Sequence, residues 1–344
     1  MNKYINVKHL ISLLFMVTVL NLTGAEQFKT FYDSGTAKAK KNDYNGAAAD
    51  FRKALDFSQL SSDESRAIFA LSDTFDKLKK YDEAAKWLER LFEIPDLKQK
   101  DVIRAYRNII SINLKQKKYD EALENCADAA RKMKEPANIV YFYEKAAEVC
   151  DKKKDYPAMI AFLQQAISES SQDTKLIAPL KIKLLGAYYK NKQYAEALQI
   201  FPFQDIPGLK ENDKIYACCY SGISAFNLKK YSIAISYLGQ MPNSAKGNYF
   251  QYQKLFYQGY SLQQLKQYPK ALDYYVQIIN DDAFNGYFRA CAMINSASIM
   301  TIEKKYDAAL KYYENAEKLD GIVDWQKKSI ANGIKKTQDA MNKK

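Results

Sequence analysis

Apolar positions along this chain recur with the spacing of helices. Between Tyr252 and Ile279, Leu255, Gly259 and Leu262 fall at i, i+4 and i+7, a stripe down one helix. A short polar link, Gln263 to Gln267, leads to Tyr268, after which Ala271, Leu272, Tyr275 and Ile278 draw a second stripe. Two helices joined this tightly pack antiparallel. Gly259 and Ala271 lack the bulk that would hold the two backbones apart, and Tyr268 is placed to cover the apolar corner where the chain turns.

The same pattern is written along most of the chain. Its tyrosine recurs at Tyr44, Tyr81, Tyr119, Tyr156, Tyr194, Tyr231, Tyr268 and Tyr306, at intervals of 37 or 38 residues. Three residues later stand Ala47, Ala84, Ala122, Met159, Ala197, Ala234, Ala271 and Ala309, and the next position is apolar in every copy. A fixed period of this length marks stacked repeats, in which each unit buries its apolar face against its neighbours. Only 12 glycines and 8 prolines punctuate the 344 residues, so the repeats are predicted to be wholly helical.

The first copy gives Phe31, Gly35, Tyr44, Ala47, Phe51 and Ala54; the second gives Ile68, Leu71, Ser72, Phe75, Ala84 and Leu88, closed by Pro95; the sixth gives Gly222, Phe226, Ala234 and Leu238. This order of aromatic, small and alanine positions resembles the tetratricopeptide repeat family. The resemblance implies an all-α, right-handed superhelical solenoid of about eight antiparallel helix pairs. The expected repeats are approximately 28–61, 65–98, 103–136, 140–173, 178–211, 215–248, 252–285 and 290–320. Residues 321–344 are expected to form a capping helix and basic tail, with Trp325, Ile330 and Ile334 turned inward. The sequence departs from the family in its period, which in the family is about 34. Ile110 and Leu185 replace the small residue in the third and fifth copies, and Pro202 and Pro242 are expected to cut short the second helices of the fifth and sixth.

Residues 1–25 belong to another class of segment. Lys3 and Lys8 precede the apolar run Leu10 to Leu20, and Thr23-Gly24-Ala25 supplies small residues before Glu26. That order predicts a secretory signal peptide cleaved after Ala25; eleven apolar residues are too few to span a bilayer. An uncleaved anchor is the alternative. The expectation is a bacterial protein exported to the periplasm, cell envelope or exterior, with no transmembrane span in the mature chain.

Export changes how charge and cysteine are read. Without Lys3 and Lys8 the net charge falls from +12 to +10, but only seven basic residues are arginine and the lysines are spread through every repeat. Nucleic-acid surfaces concentrate charge, so scattered lysine is read as solvation and no nucleic-acid partner is expected. The five cysteines, Cys126, Cys150, Cys218, Cys219 and Cys291, match no zinc spacing. They are read as buried small hydrophobes, with a Cys126–Cys150 bridge as the alternative.

Catalytic signatures are missing. His9, the one histidine, lies in the predicted signal peptide, which removes histidine-based nucleophile pairs and the commonest metal ligand from the mature chain. No phosphate-binding glycine loop is written, and pairs such as Asp82-Glu83 and Asp281-Asp282 read as helix-start or loop charges. The expectation is a non-enzymatic scaffold or adaptor with no cofactor, holding a protein or peptide; an envelope polysaccharide binder or assembly accessory is the alternative.

In the family the first helix of each pair lines the concave side. On that face the sixth and seventh copies carry Tyr216, Tyr220, Ile223, Tyr257 and Tyr260, flanked by Phe226 and Phe256, and the third carries Arg104 and Arg107. These residues are the candidate partner site, although the tyrosines are also able to pack between repeats. Some members hold a terminal carboxylate with Lys and Asn four residues apart; the matching pairs here, Tyr32/Thr36, Phe69/Asp73, Arg107/Ser111, Glu144/Glu148 and Phe256/Tyr260, do not fit.

Overall fold

The computed structural model describes residues 23–170, 174–200, 209–242 and 249–343. Most of the predicted signal peptide, and Pro202 with its neighbours, lie outside the described residues. Two compact units divide the chain, Met1–Asp155 and Tyr156–Lys344. Among the described residues every regular element is helical.

Unit 1 contains α1 (Gly24–Lys40), α2 (Tyr44–Asp56), α3 (Ser61–Lys77), α4 (Tyr81–Glu89) with a 3-10 turn at Arg90–Glu93, α5 (Gln99–Lys115), α6 (Tyr119–Lys132) and α7 (Pro136–Lys153). Unit 2 contains α8 (Tyr156–Glu169), α9 (Thr174–Lys190), α10 (Tyr194–Gln199), α11 (Glu211–Asn227), α12 (Tyr231–Gly239), α13 (Tyr249–Gln264), α14 (Tyr268–Ile279), α15 (Gly286–Ile302), α16 (Tyr306–Glu317) and α17 (Asp324–Met341). Each marker tyrosine is the first residue of a second helix. Within each unit, successive helices pack in chain order, and first helices also touch the next first helix, as α11 touches α9 and α13.

The turn inside each pair is fixed by one device. Two residues before the tyrosine, Asn42, Lys79, Lys117, Lys154, Lys192, Lys229, Lys266 and Lys304 all adopt left-handed backbone with φ between 59° and 63°. The following N–H then reaches back five residues: Lys80 to the Phe75 carbonyl, Lys118 to Asn113, Lys230 to Ala225, Gln267 to Leu262. This is the Schellman arrangement, which ends the first helix and aims the second.

Between paired helices the small positions meet large ones. A Cβ on Gly35 would lie 2.7 Å from Phe51, and one on Gly259 would lie 2.9 Å from Tyr275. Ala47, Ala84, Ala122, Ala197, Ala234, Ala271 and Ala309 are fully buried. The second helices α10 and α12 are short, at 6 and 9 residues. So is α4, whose last turn tightens to 3-10 before Pro95, which the sequence pattern did not announce.

The first and last helices each carry a detail of their own. Thr23 caps α1, its Oγ1 accepting from the Glu26 N–H at 3.4 Å, so the expected cleavage point falls within this helix's first turn. In α17, Ile330 is buried and Ile334 half-buried, but Trp325 is 52% exposed, its ring set edge-on to Tyr287. Its buried place goes to Gln326, which donates to the Tyr287 carbonyl at 2.8 Å. The reason is register: 326, 330, 334 and 337 share a helix face and 325 lies about 100° away.

All five cysteines are free thiols and all are buried. Burial pushes Cys126 and Cys219 up to about 12 and Cys150 and Cys218 up to about 11. Several lysines tie neighbouring repeats together at the surface, Lys118 donating to Asp82 at 2.8 Å and Lys153 to Asp120 at 2.6 Å. Such exposed pairs add little stability, but they use lysines that composition alone assigns to solvent.

Candidate functional site: the first-helix faces

In unit 1 the first-helix face opens into a groove of 380 Å³ bounded by α1, α2, α3 and the edge of α5. Arg104 stands at its mouth. The guanidinium carbon lies 3.9 Å from the centre of the Phe69 ring, and Nη2 donates to Asp73 Oδ2 at 3.3 Å. Across the groove Arg66 stacks over Tyr32 at 4.6 Å and pairs with Asp63 at 3.2 Å. Both guanidinium groups thus sit over ring faces while their side chains stay about half exposed. Lys40 and Lys77 also line the groove, against a single carboxylate, Asp73. The walls therefore favour negative charge.

Arg107, one turn on from Arg104, does not line this groove. It stacks over Tyr141 on α7 at 5.5 Å. The structure therefore separates two arginines that the sequence pattern grouped.

In unit 2 the equivalent face supplies rings in contact. Tyr220 stacks on Tyr189 of α9 at 4.9 Å and on Tyr216 at 6.0 Å. Phe226 meets Tyr257 at 5.1 Å and Tyr260 at 5.0 Å, and Phe256 touches both tyrosines in turn. Tyr216 is 39% exposed, while Tyr220, Phe226, Phe256, Tyr257 and Tyr260 are half-buried. Burial pushes the Tyr257 hydroxyl up to about 12. Ile223, expected on the outward face, is 3% exposed, because α11 is flanked by α9 on one side and α13 on the other. The face thus forms a strip of packed rings with one open end at Tyr216.

Two further rings continue the aromatic packing, Tyr252 stacking on Phe288 at 4.1 Å and on Phe256 at 5.2 Å. Neither Tyr252 nor Phe288 is among the candidate partner residues of the sequence pattern, although their near-period separation of 36 residues is a visible signal. Among the described residues no group of three or more His, Cys, Asp or Glu could hold a metal, and no helix is long and apolar enough to cross a membrane.

Residues 65–95, which span α3 and α4, match the family model for the tetratricopeptide repeat. No curated protein matches the chain. Among solved structures the chain is similar to the apo form of RapI, at 14% identity and a TM-score of 0.55, covering 92% of this chain and 98% of that one. It is also similar to the C-terminal part of a TPR repeat-containing protein from Cytophaga hutchinsonii, at 17% identity and a TM-score of 0.47, covering 87% and 98%. A tetratricopeptide repeat protein from Parabacteroides merdae matches at 13% identity and a TM-score of 0.45, covering 80% and 98%. At these identities the likeness to RapI shows the fold. Residues 65–95 are thus a tetratricopeptide repeat, and the other helix pairs within each unit share its layout and left-handed turn, so the chain has the fold of tetratricopeptide repeat proteins.

Proposed function

We propose that this chain is an exported, non-catalytic adaptor of the bacterial envelope that holds an extended acidic segment of a protein partner in the first-helix groove of unit 1. The observation that carries the reading is Arg104, stacked on Phe69 at 3.9 Å and tethered to Asp73 at the mouth of a groove that also carries Lys40, Arg66 and Lys77. Stacked guanidinium groups are pre-organised donors, so a partner carboxylate gains a two-pronged contact at low entropy cost. Rings beneath them supply an apolar floor for an aromatic or aliphatic neighbour in the segment. The packed strip of unit 2 lacks such an opening, and Tyr216 is the ring there best placed for a secondary contact.

Export is supported by the order of charge, apolar run and small residues in 1–25. Mass spectrometry of envelope protein should find a mature terminus at Glu26; an intact Met1 would remove the envelope from the proposal. For the groove, fluorescence polarisation with a labelled Glu- and Tyr-containing decapeptide should show salt-sensitive binding. Arg66→Ala with Arg104→Ala should weaken it at least tenfold, about 1.4 kcal/mol. Equal affinity in the variant, at an unchanged melting temperature, would place the partner elsewhere.

A further inference from the structure

Unit 2 has a second opening, on the side of its second helices. It lies between α12 and α14 with α13 as its floor, measures 870 Å³, and is lined by none of the rings of the aromatic strip. The floor is polar. Gln258 lines the cleft, is 4% exposed, and its Oε1 meets no hydrogen-bond donor; the Oε1 of Gln251, on the same floor, is likewise without one. A buried acceptor with nothing donating to it is costly, and its presence in a cleft marks a position where a ligand atom improves the fold it enters.

Gly239 explains why the space is open. It closes α12 on the wall of the cleft, and a Cβ there would lie 3.6 Å from Gln258 Nε2, in ordinary contact. Any longer side chain at 239 would grow into the space beside the carboxamide. The charged lining is sparse, a net +1: Lys254, whose ammonium is engaged by the Met241 carbonyl at 2.8 Å, and Lys270 stand beside Asp273. No arginine lines it, unlike the groove of unit 1.

We propose that this cleft binds a neutral, hydroxyl-rich ligand, an oligosaccharide chain. A hydroxyl both donates and accepts, so it satisfies a carboxamide whichever way round the amide is turned. An extended peptide presents its N–H groups alternately to opposite sides and meets fewer of these groups from one edge. Gln251 and Gln258 are two helical turns apart, about 10 Å, which calls for a chain of sugar rings rather than a single one. Tyr274, from α14, lines the same cleft and gives a ring face for the C–H side of a sugar.

The test applies the full chain to an array of neutral oligosaccharides and titrates the strongest binders by calorimetry. At least one should bind, with affinity reduced tenfold or more by Gly239→Leu and by Gln258→Met, and unaffected by Arg104→Ala. Gly239→Leu should leave the melting temperature unchanged or raised, since leucine is the better helix former and the cleft has room for it; Gln258→Met keeps the length of the side chain and removes its polar end. An array without a binder overturns the proposal. So does oligosaccharide binding that survives both substitutions, or an acidic decapeptide whose binding Gly239→Leu abolishes.

Discussion

Leu238 occupies the space that a side chain on Gly222 would need: a Cβ built on that glycine would come within 2.5 Å of Leu238 Cγ. One residue belongs to the first helix of its pair and the other to the second, and neither flexible tips nor solvent lie between them. Gly222→Ala gains helix propensity of up to about 1 kcal/mol but must push Leu238 aside. The net expectation is a loss of about 1–3 kcal/mol, and the same for Ala234→Leu and Ala271→Leu, which overpack fully buried sites. Ala308→Leu, on an exposed position of α16, should change little. Urea midpoints of the four variants check the register; equal shifts at Ala308 and Ala271 would refute it.

The left-handed turn residues make a second prediction. A side chain at φ near 60° costs about 1–2 kcal/mol relative to glycine, part of which is returned because glycine loses more freedom on folding. Lys229, at φ 60°, is exposed, so glycine forfeits little burial there. Lys229→Gly should therefore raise stability by up to about 1 kcal/mol, whereas Lys229→Val should lower it by about 1 kcal/mol or more. Thermal melts of the pair decide the sign.

Asp128 supplies a pH dependence confined to unit 1. Burial opposes its charge, but hydrogen bonds from Tyr106 and Lys132, the latter at 2.9 Å, outweigh burial and hold the carboxyl below its ordinary 3.8. A carboxylate depressed in the folded state stabilises the fold above its unfolded value, and that contribution is lost as pH falls from 3.8 through the lower folded value. Asp128→Asn should cost about 1 kcal/mol at pH 7, a figure kept small by partial exposure, and the gap to wild type should close below pH 3.8. Denaturant melts at pH 7 and pH 3 measure it.

For the aromatic strip the ring contacts shift the expectation from binding to folding. Tyr257→Ala with Tyr260→Ala removes two half-buried rings that both meet Phe226, and should destabilise unit 2 by about 2–4 kcal/mol. Tyr216→Ala, at the open end, should cost less than about 1 kcal/mol. A double variant that melts like wild type yet loses partner binding would restore the strip as the principal docking face.

Most of the fold is legible in the sequence because its determinants are local and periodic. The tyrosine, the alanine three residues on and the glycine nine residues before it each report one contact inside one pair, and the pair repeats. What the pattern hides depends on neighbours. Ile223 looks outward on its own helix but is covered because α9 and α13 both reach it. Pro179, inside α9, is an exposed helix-interior proline that periodicity passes over. Gly239 reads as a helix end, and only the placement of Gln258 beside it reveals a cleft. Arg104 and Arg107 share a spacing, yet the groove takes one and α7 takes the other. Sites of this kind arise from side chains on neighbouring helices that are not repeated, which is where a repeat unit carries no information.

The buried thiols have a consequence in time. With their acidities suppressed by burial, they react with a blocking reagent only when the surrounding layer opens, so labelling rates become local clocks. Cys291 lies under α17, within 3.2 Å of the Gln326 amide, and its rate times the lifting of the last helix. Cys218 and Cys219, inside α11, time the interior of unit 2, and Cys126 with Cys150 do the same for unit 1. The chain thus carries five stopwatches that start together in a single reaction tube, and the order in which they stop ranks the layers by how often they open.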